Sequence, residues 1–180
     1  MKKHFVMAAA FSLVASAAFA QGAATPPAGG GLNDAQIAHI AYTADNIDIA
    51  AAKQALKKSK NKEVKAFAQE MIRDHGAVNK KALALVKKLK VKPENNDTSR
   101  ALSQDAKDKL AQFAKLKGAE YDKAYVDNEV AYHKLVNNSV QNQLIPGAQN
   151  AELKGLLEQG LPLFQGHQQH AEQLASSLGK

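Results

Sequence analysis

Apolar residues recur along this chain at steps of three and four over four long stretches, and no segment shows the sustained two-residue alternation that a sheet needs. The first stretch is capped by Asn33 or Asp34, carries Ile37, Ala41, Ala44, Ala51 and Ala55, and ends at the turn Ser59-Lys60-Asn61. Asp48 interrupts its stripe. The second runs from about Lys62 to Lys90 with a nearly unbroken seam of Val64, Ala68, Met71, His75, Val78, Ala82, Leu85 and Leu89. Pro93 and the polar residues Glu94 to Ser99 end it. A shorter amphipathic piece from Ser103 to Leu116 follows, and Gly118 separates it from a third long helix, Ala119 to Leu144, halted by Ile145-Pro146-Gly147. The last helix, Ala148 to Leu178, repeats the seam with Leu153, Leu157, Gly160, Phe164, His167, Ala171, Leu174 and Leu178. Pro162 removes one of its hydrogen bonds and predicts a kink near Glu158 to Leu161. The expected architecture is all-α: four long helices, a short connector helix between the second and third, and a kinked last helix.

The seams contain polar groups that packing alone does not call for. His75 and His167 stand where the period demands an apolar residue. A buried polar group without a partner costs about 1–3 kcal/mol, so each needs a carboxylate, a carbonyl, water or a metal ion. At 1.5 Å of rise per residue, a turn near Lys60 puts His75 level with Asp45 and within a turn of Asp48. A turn near Pro146 puts His133 beside Glu158, and Glu129 shares the face of His133 four residues on. Asp45, Asp48, His75, Glu129, His133 and Glu158 therefore form a candidate metal layer. Its nitrogen and carboxylate ligands suit iron, manganese or zinc. The competing reading is a clamp of histidines bonded to carboxylates. His167 falls about 12 Å further along the axis, level with Tyr125 and Asp122, and is expected to form a structural polar pair there. His39 and His170 lie off the seams and are expected to be exposed.

An internal similarity links the second and third helices. Lys65-Ala66-Phe67, His75 and Val78-Asn79 recur as Lys123-Ala124-Tyr125, His133 and Val136-Asn137, at a constant offset of 58 residues. If the offset is structural, His75 and His133 are equivalent, and Glu129 takes the place of Met71.

Composition narrows the setting. Lys2 and Lys3, an apolar run from Phe5 to Val14 and Ala18-Phe19-Ala20 have the layout of a signal peptide over residues 1–20, cleaved between Ala20 and Gln21. Residues 21–32 read as a disordered tether and 33–180 as the folded domain, in the periplasm or secreted. The net charge of +7 becomes +5 without Lys2 and Lys3, and the lysine clusters at 53–65 and 80–92 read as solvated helix faces able to make weak contact with an anionic envelope surface. Only Arg73 and Arg100 could offer bidentate contacts, so no nucleic-acid partner is expected. No cysteine is present, which excludes disulfides and thiolate ligands. Past the signal, no apolar run is long enough to be a transmembrane segment. Zincin, phosphate-loop and serine-elbow motifs are missing, so hydrolase chemistry has no support.

Taken together, Val64-Lys65-Ala66-Phe67-Ala68 leading to Met71 and Asp74-His75, Tyr121-Asp122-Lys123-Ala124-Tyr125 leading to His133, and Leu161-Pro162 leading to His167 make the chain resemble a bacterial family of secreted ferritin-like proteins, the domain of unknown function 4142. The likeness spans about Leu32 to Leu178. It implies a four-helix bundle of ferritin-like topology, with the second and third helices parallel and the connector crossing the bundle's length. It implies no activity. The Glu-x-x-His pairs of ferritin-like di-iron enzymes are missing, since Ile72, Val130 and Phe164 stand where the glutamate is needed. The expected function is an exported, non-catalytic bundle whose seam histidines are structural or bind one transition metal, in metal handling or envelope stress. Its alternatives are a ferritin-like metalloenzyme or metal oxidase and a lysine-rich envelope interaction module.

Overall fold

The computed structural model describes residues 31–179. The expected signal peptide and most of the tether lie outside the described residues. Helix α1 spans Asp34–Lys58, α2 Lys62–Lys88, α3 Asp97–Phe113, α4 Gly118–Ser139 and α6 Ala151–Leu178, with a π-helical turn Val140–Leu144 and a short α5, Ile145–Gly147, following α4. Among the described residues there is no strand, and no helix is long and apolar enough to cross a membrane.

Asparagine starts four of these helices. Asn33 and Asn96 each form a capping box, with Gln36 and Ser99. Asn61 and Asn150 each accept two backbone N–H bonds from the first turn. Such caps supply partners for amides that have none within the helix. The Asn96 box is why α3 begins at Asp97, six residues before the expected Ser103: a stretch that looks like polar loop is a cap and a first turn. Between α3 and α4, Gly118 has φ +55°, a left-handed conformation that a side chain would disfavour. The last helix stays helical through Pro162.

Long-range hydrogen bonds fix the topology. The Glu94 N–H donates to the Ala35 carbonyl at 3.0 Å, and Lys58 Nζ donates to the Ala114 carbonyl at 2.7 Å, so α3 runs the length of the bundle alongside α1. Tyr121 Oη donates to Gln54 at 3.3 Å, and Tyr132 Oη to the Ala44 carbonyl at 3.0 Å, so α4 descends antiparallel to α1 and parallel to α2. The N–H groups of Gln149 and Asn150 donate to Asp34 at 2.8 and 2.9 Å, while Ser177 reaches Glu63, so α6 climbs back beside α2. The four long helices form a square in which α1 neighbours α2 and α4, and α6 closes the other two sides. This is the ferritin-like arrangement.

Two apolar clusters fill the bundle. The upper one, at the α1–α2 turn, centres on Phe67, Met71, Tyr121, Tyr125 and Ala171. The lower one centres on Ile37, Ile40, Leu144, Leu153 and Leu157. Between them lies a buried polar layer.

Candidate metal centre

Each long helix contributes to that layer. Asp45 and Asp48, three apart on α1, share its inner face, as do Glu129 and His133, four apart on α4. His75 comes from α2 and His167 from α6. The three histidines are 1–3% exposed, and Glu129 is 1% exposed. Their ring centroids form a compact triangle: 5.8 Å from His75 to His133, 5.1 Å from His75 to His167 and 5.6 Å from His133 to His167. Phe164 stacks on His75 at 5.0 Å with the planes 2° apart, and Tyr132 meets the His133 ring edge-on.

Every imidazole is held from outside by one nitrogen and leaves the other unpaired. His75 Nδ1 donates to Asp45 at 2.7 Å, His133 Nδ1 to the Glu129 carbonyl at 3.0 Å, and His167 Nε2 to Asp74 at 3.1 Å. These partners set the tautomers, so the lone pairs fall on His75 Nε2, His133 Nε2 and His167 Nδ1. All three of those atoms are buried without a hydrogen-bond partner, as are Asp48 Oδ1 and both carboxylate oxygens of Glu129. One ligand atom from each histidine lies within 4.8 Å of the other two, and Asp48, Glu129 and His133 form a second such group. Asp48 Oδ2 stands 3.3 Å from His75 Nε2 and 3.5 Å from His133 Nε2.

One orphaned buried acceptor is costly; a converging set of them makes sense when a cation completes it. The outward hydrogen bonds fix the orientation of each ring, as partners of metal-binding imidazoles do elsewhere. Imidazole nitrogen together with carboxylate oxygen is a donor set that suits zinc or copper.

Electrostatics favour the neutral ligand form at two of the three rings. Burial pushes the pKa of His133 and His167 below the usual histidine range, with Asp48 opposing at His133 and Asp74 at His167. At His75 burial acts in the same direction, but Asp48 and Asp45 outweigh it and raise the pKa. Burial, reinforced by the negative charge of Asp48, pushes Glu129 well above the usual carboxyl range. Burial likewise raises Asp45, against the contact with His75.

Five residues of the expected layer come together: Asp45, Asp48, His75, Glu129 and His133. Glu158 does not, being exposed on α6. In its place stands His167, which was expected a layer away with Tyr125 and Asp122. His167 bonds to Asp74 instead, while Tyr125 Oη and Asp122 Oδ1 have no partner. Both differences have one cause. The π-helical turn and α5 carry the chain beyond Pro146 before it reverses at residues 148–150, which slides α6 along α4. The Asn137 amide accordingly donates to the Phe164 carbonyl and to Gln168. Asp74, which sequence reasoning did not place in the site, adjoins His75 in the chain and turns toward α6. His170 is exposed and bonds Glu70, whereas His39 is half-buried beside Thr43.

The recurrence at 58 residues has a spatial counterpart. His75 and His133 face the same centre from parallel, diagonally placed helices, and Asn79 and Asn137 are both buried one turn further on.

No curated protein matches the sequence. Among solved structures, the fold is similar to that of CopM in the Cu(II)-bound form, with a TM-score of 0.61 and 15% identity, covering 82% of this chain and 99% of that one. The model of a domain of unknown function, DUF4142, matches residues 17–174, so the chain belongs to the DUF4142 family.

Proposed function

We propose that this protein is an exported metal-handling bundle that holds one transition-metal ion at its centre. His75 Nε2, His133 Nε2 and His167 Nδ1 are the nitrogen ligands, and Asp48 and Glu129 supply carboxylate oxygens. The observation that carries this reading is a group of three buried histidines with ligand atoms within 4.8 Å of one another, each ring anchored through one nitrogen and without a hydrogen-bond partner at the other.

The ligand set shifts the expected ion. Three imidazoles with one or two carboxylates favour copper(II) or zinc over manganese, which prefers oxygen. CopM, whose fold is similar, was solved in a Cu(II)-bound form, which makes copper the first ion to test. The ion is cargo in this reading. No Glu-x-x-His pair stands at the centre to support di-iron chemistry. Export to the periplasm follows from the N-terminal signal layout and is part of the same proposal.

Isothermal titration of chelator-treated protein with copper(II), checked by elemental analysis, tests it. One ion per chain is expected, with binding lost in His75→Ala, His133→Ala and His167→Ala. Absence of stoichiometric binding, or binding indifferent to all three substitutions, overturns the proposal.

A further inference from the structure

The buried centre needs a way in, and the sides of the bundle differ in what they offer an ion. Below the layer lies an apolar cavity of about 230 Å³ that reaches Asp45 and Phe164, walled mostly by leucine, valine and alanine. A hydrated cation entering there would lose its water with almost nothing to replace it. The α4–α6 seam presents Asn137, Gln165 and Gln168 beside the ammonium of Lys134. On that amide-lined face Lys134 is paired with Glu172 at 3.0 Å. The α2–α6 seam is different: between solvent and the centre it carries His170, Glu70, Asp74 and His167 in succession.

We propose that the α2–α6 seam is the loading port of the centre: Glu70, Asp74 and His170 form a shallow site that captures a divalent transition-metal ion and passes it to His167. This rests on the metal-binding reading above. Its distinctive observation is that His167 faces both ways. One ligand atom of His167 lies within 4.8 Å of ligand atoms on Glu70 and Asp74, and one lies within 4.8 Å of those on His75 and His133. Its Nε2 meets Asp74 Oδ2 at 3.1 Å, while its Nδ1 is buried and unpartnered. A single ring thus separates the two groups.

The outer residues grade toward solvent as a capture site should. His170 is 45% exposed and its Nδ1 stands 2.7 Å from Glu70 Oε2. Glu70 and Asp74 are half-buried, one turn apart on α2, and present their oxygens to the same face. Arg73 occupies the Asp74 carboxylate through two bonds of 2.7 and 2.8 Å, yet its side chain is 69% exposed. In place the guanidinium neutralises Asp74, so removing it would free the carboxylate oxygens for a cation.

The test is stopped-flow mixing of copper(II) with the whole protein at low ionic strength, followed by the absorbance of the bound ion, with release to excess chelator measured in parallel. Three proteins are compared: the parent, Glu70→Gln/His170→Ala and Arg73→Ala. The double variant is expected to load and release copper about tenfold more slowly, because local charge raises on-rates by at least that factor. Its stoichiometry and equilibrium affinity should stay at parent values. Arg73→Ala is expected to load faster. A side-chain pair that merely stabilises the fold would not move the rates in opposite directions. Equal loading rates in all three proteins, with one copper still bound per chain, overturn the port and leave the buried centre standing. A loss of equilibrium affinity in the double variant equal to its loss in loading rate makes these residues ligands rather than a route, and also overturns it. Absence of stoichiometric copper in the parent overturns both this inference and the metal-binding proposal.

Discussion

The upper apolar cluster and the polar layer beneath it are built by the same helices at adjacent turns, yet they solve opposite problems. Around Phe67 and Tyr125 the helices meet through rings: Phe67 lies edge-on to Tyr125 at 6.2 Å, and Tyr121 stacks on Tyr125 at 6.3 Å with planes 9° apart. That region is stabilised by excluding water, in proportion to the apolar surface buried. One turn lower, Met71 gives way to His75 and Ala171 to His167, and the contacts become a set of lone pairs and carboxyls facing one another. The first region gains its stability from folding alone. In the proposed reading the second gains its full stability only when a cation completes it, which is how a fold stores binding energy for a ligand.

The sharpest way to break this comparison is to damage each region separately. Phe67→Ala is expected to cost about 3–5 kcal/mol in urea unfolding, by the same amount with and without copper. A loss that copper reverses would mean that the two regions are not independent. Copper at about 100 times its dissociation constant should stabilise the parent by about 2.7 kcal/mol and leave His133→Ala unmoved, as read by the melting temperature. His75→Ala, measured without metal, should cost about 1–3 kcal/mol, because Asp45 loses its buried partner.

Glu129→Gln sharpens the electrostatic side of the comparison. Burial and Asp48 hold the Glu129 pKa above its unfolded value, so the folded chain retains a proton that the unfolded chain releases. The parent therefore loses stability as pH rises above the unfolded carboxyl value, and the glutamine variant does not. Its stability relative to the parent should grow from pH 5 to pH 8 in metal-free unfolding curves. A gap that shrinks over this range would contradict the assignment. The smallest effect is expected at the surface, where Lys123 and Asp127 form an exposed pair. Lys123→Ala should leave both the unfolding midpoint and copper affinity unchanged, since exposed pairs contribute little.

Much of the architecture is legible in the order of residues. The three-and-four spacing marks the four long helices, the turn near Lys60 correctly levels His75 with Asp45, and the recurrence at 58 residues singles out His75 and His133 as a matched pair. The connector's start is missed because Asn96 and Ser99 read equally well as loop. The identity of the sixth member of the layer is missed for a geometric reason. Counting residues from a turn works only when the helix keeps its pitch up to the turn, and the π-helical widening at Val140–Leu144 followed by Ile145–Gly147 breaks that assumption.

The sequence by itself determined which faces of the helices are apolar and which polar groups interrupt them, because side-chain direction follows from the helical period. Tertiary structure decided which of those groups meet. It replaced Glu158 with His167 at the centre and turned Asp74 toward α6, since the sliding of one helix along another depends on where the chain reverses. It also decided which nitrogen of each ring is left free, because that depends on partners supplied by other turns and other helices.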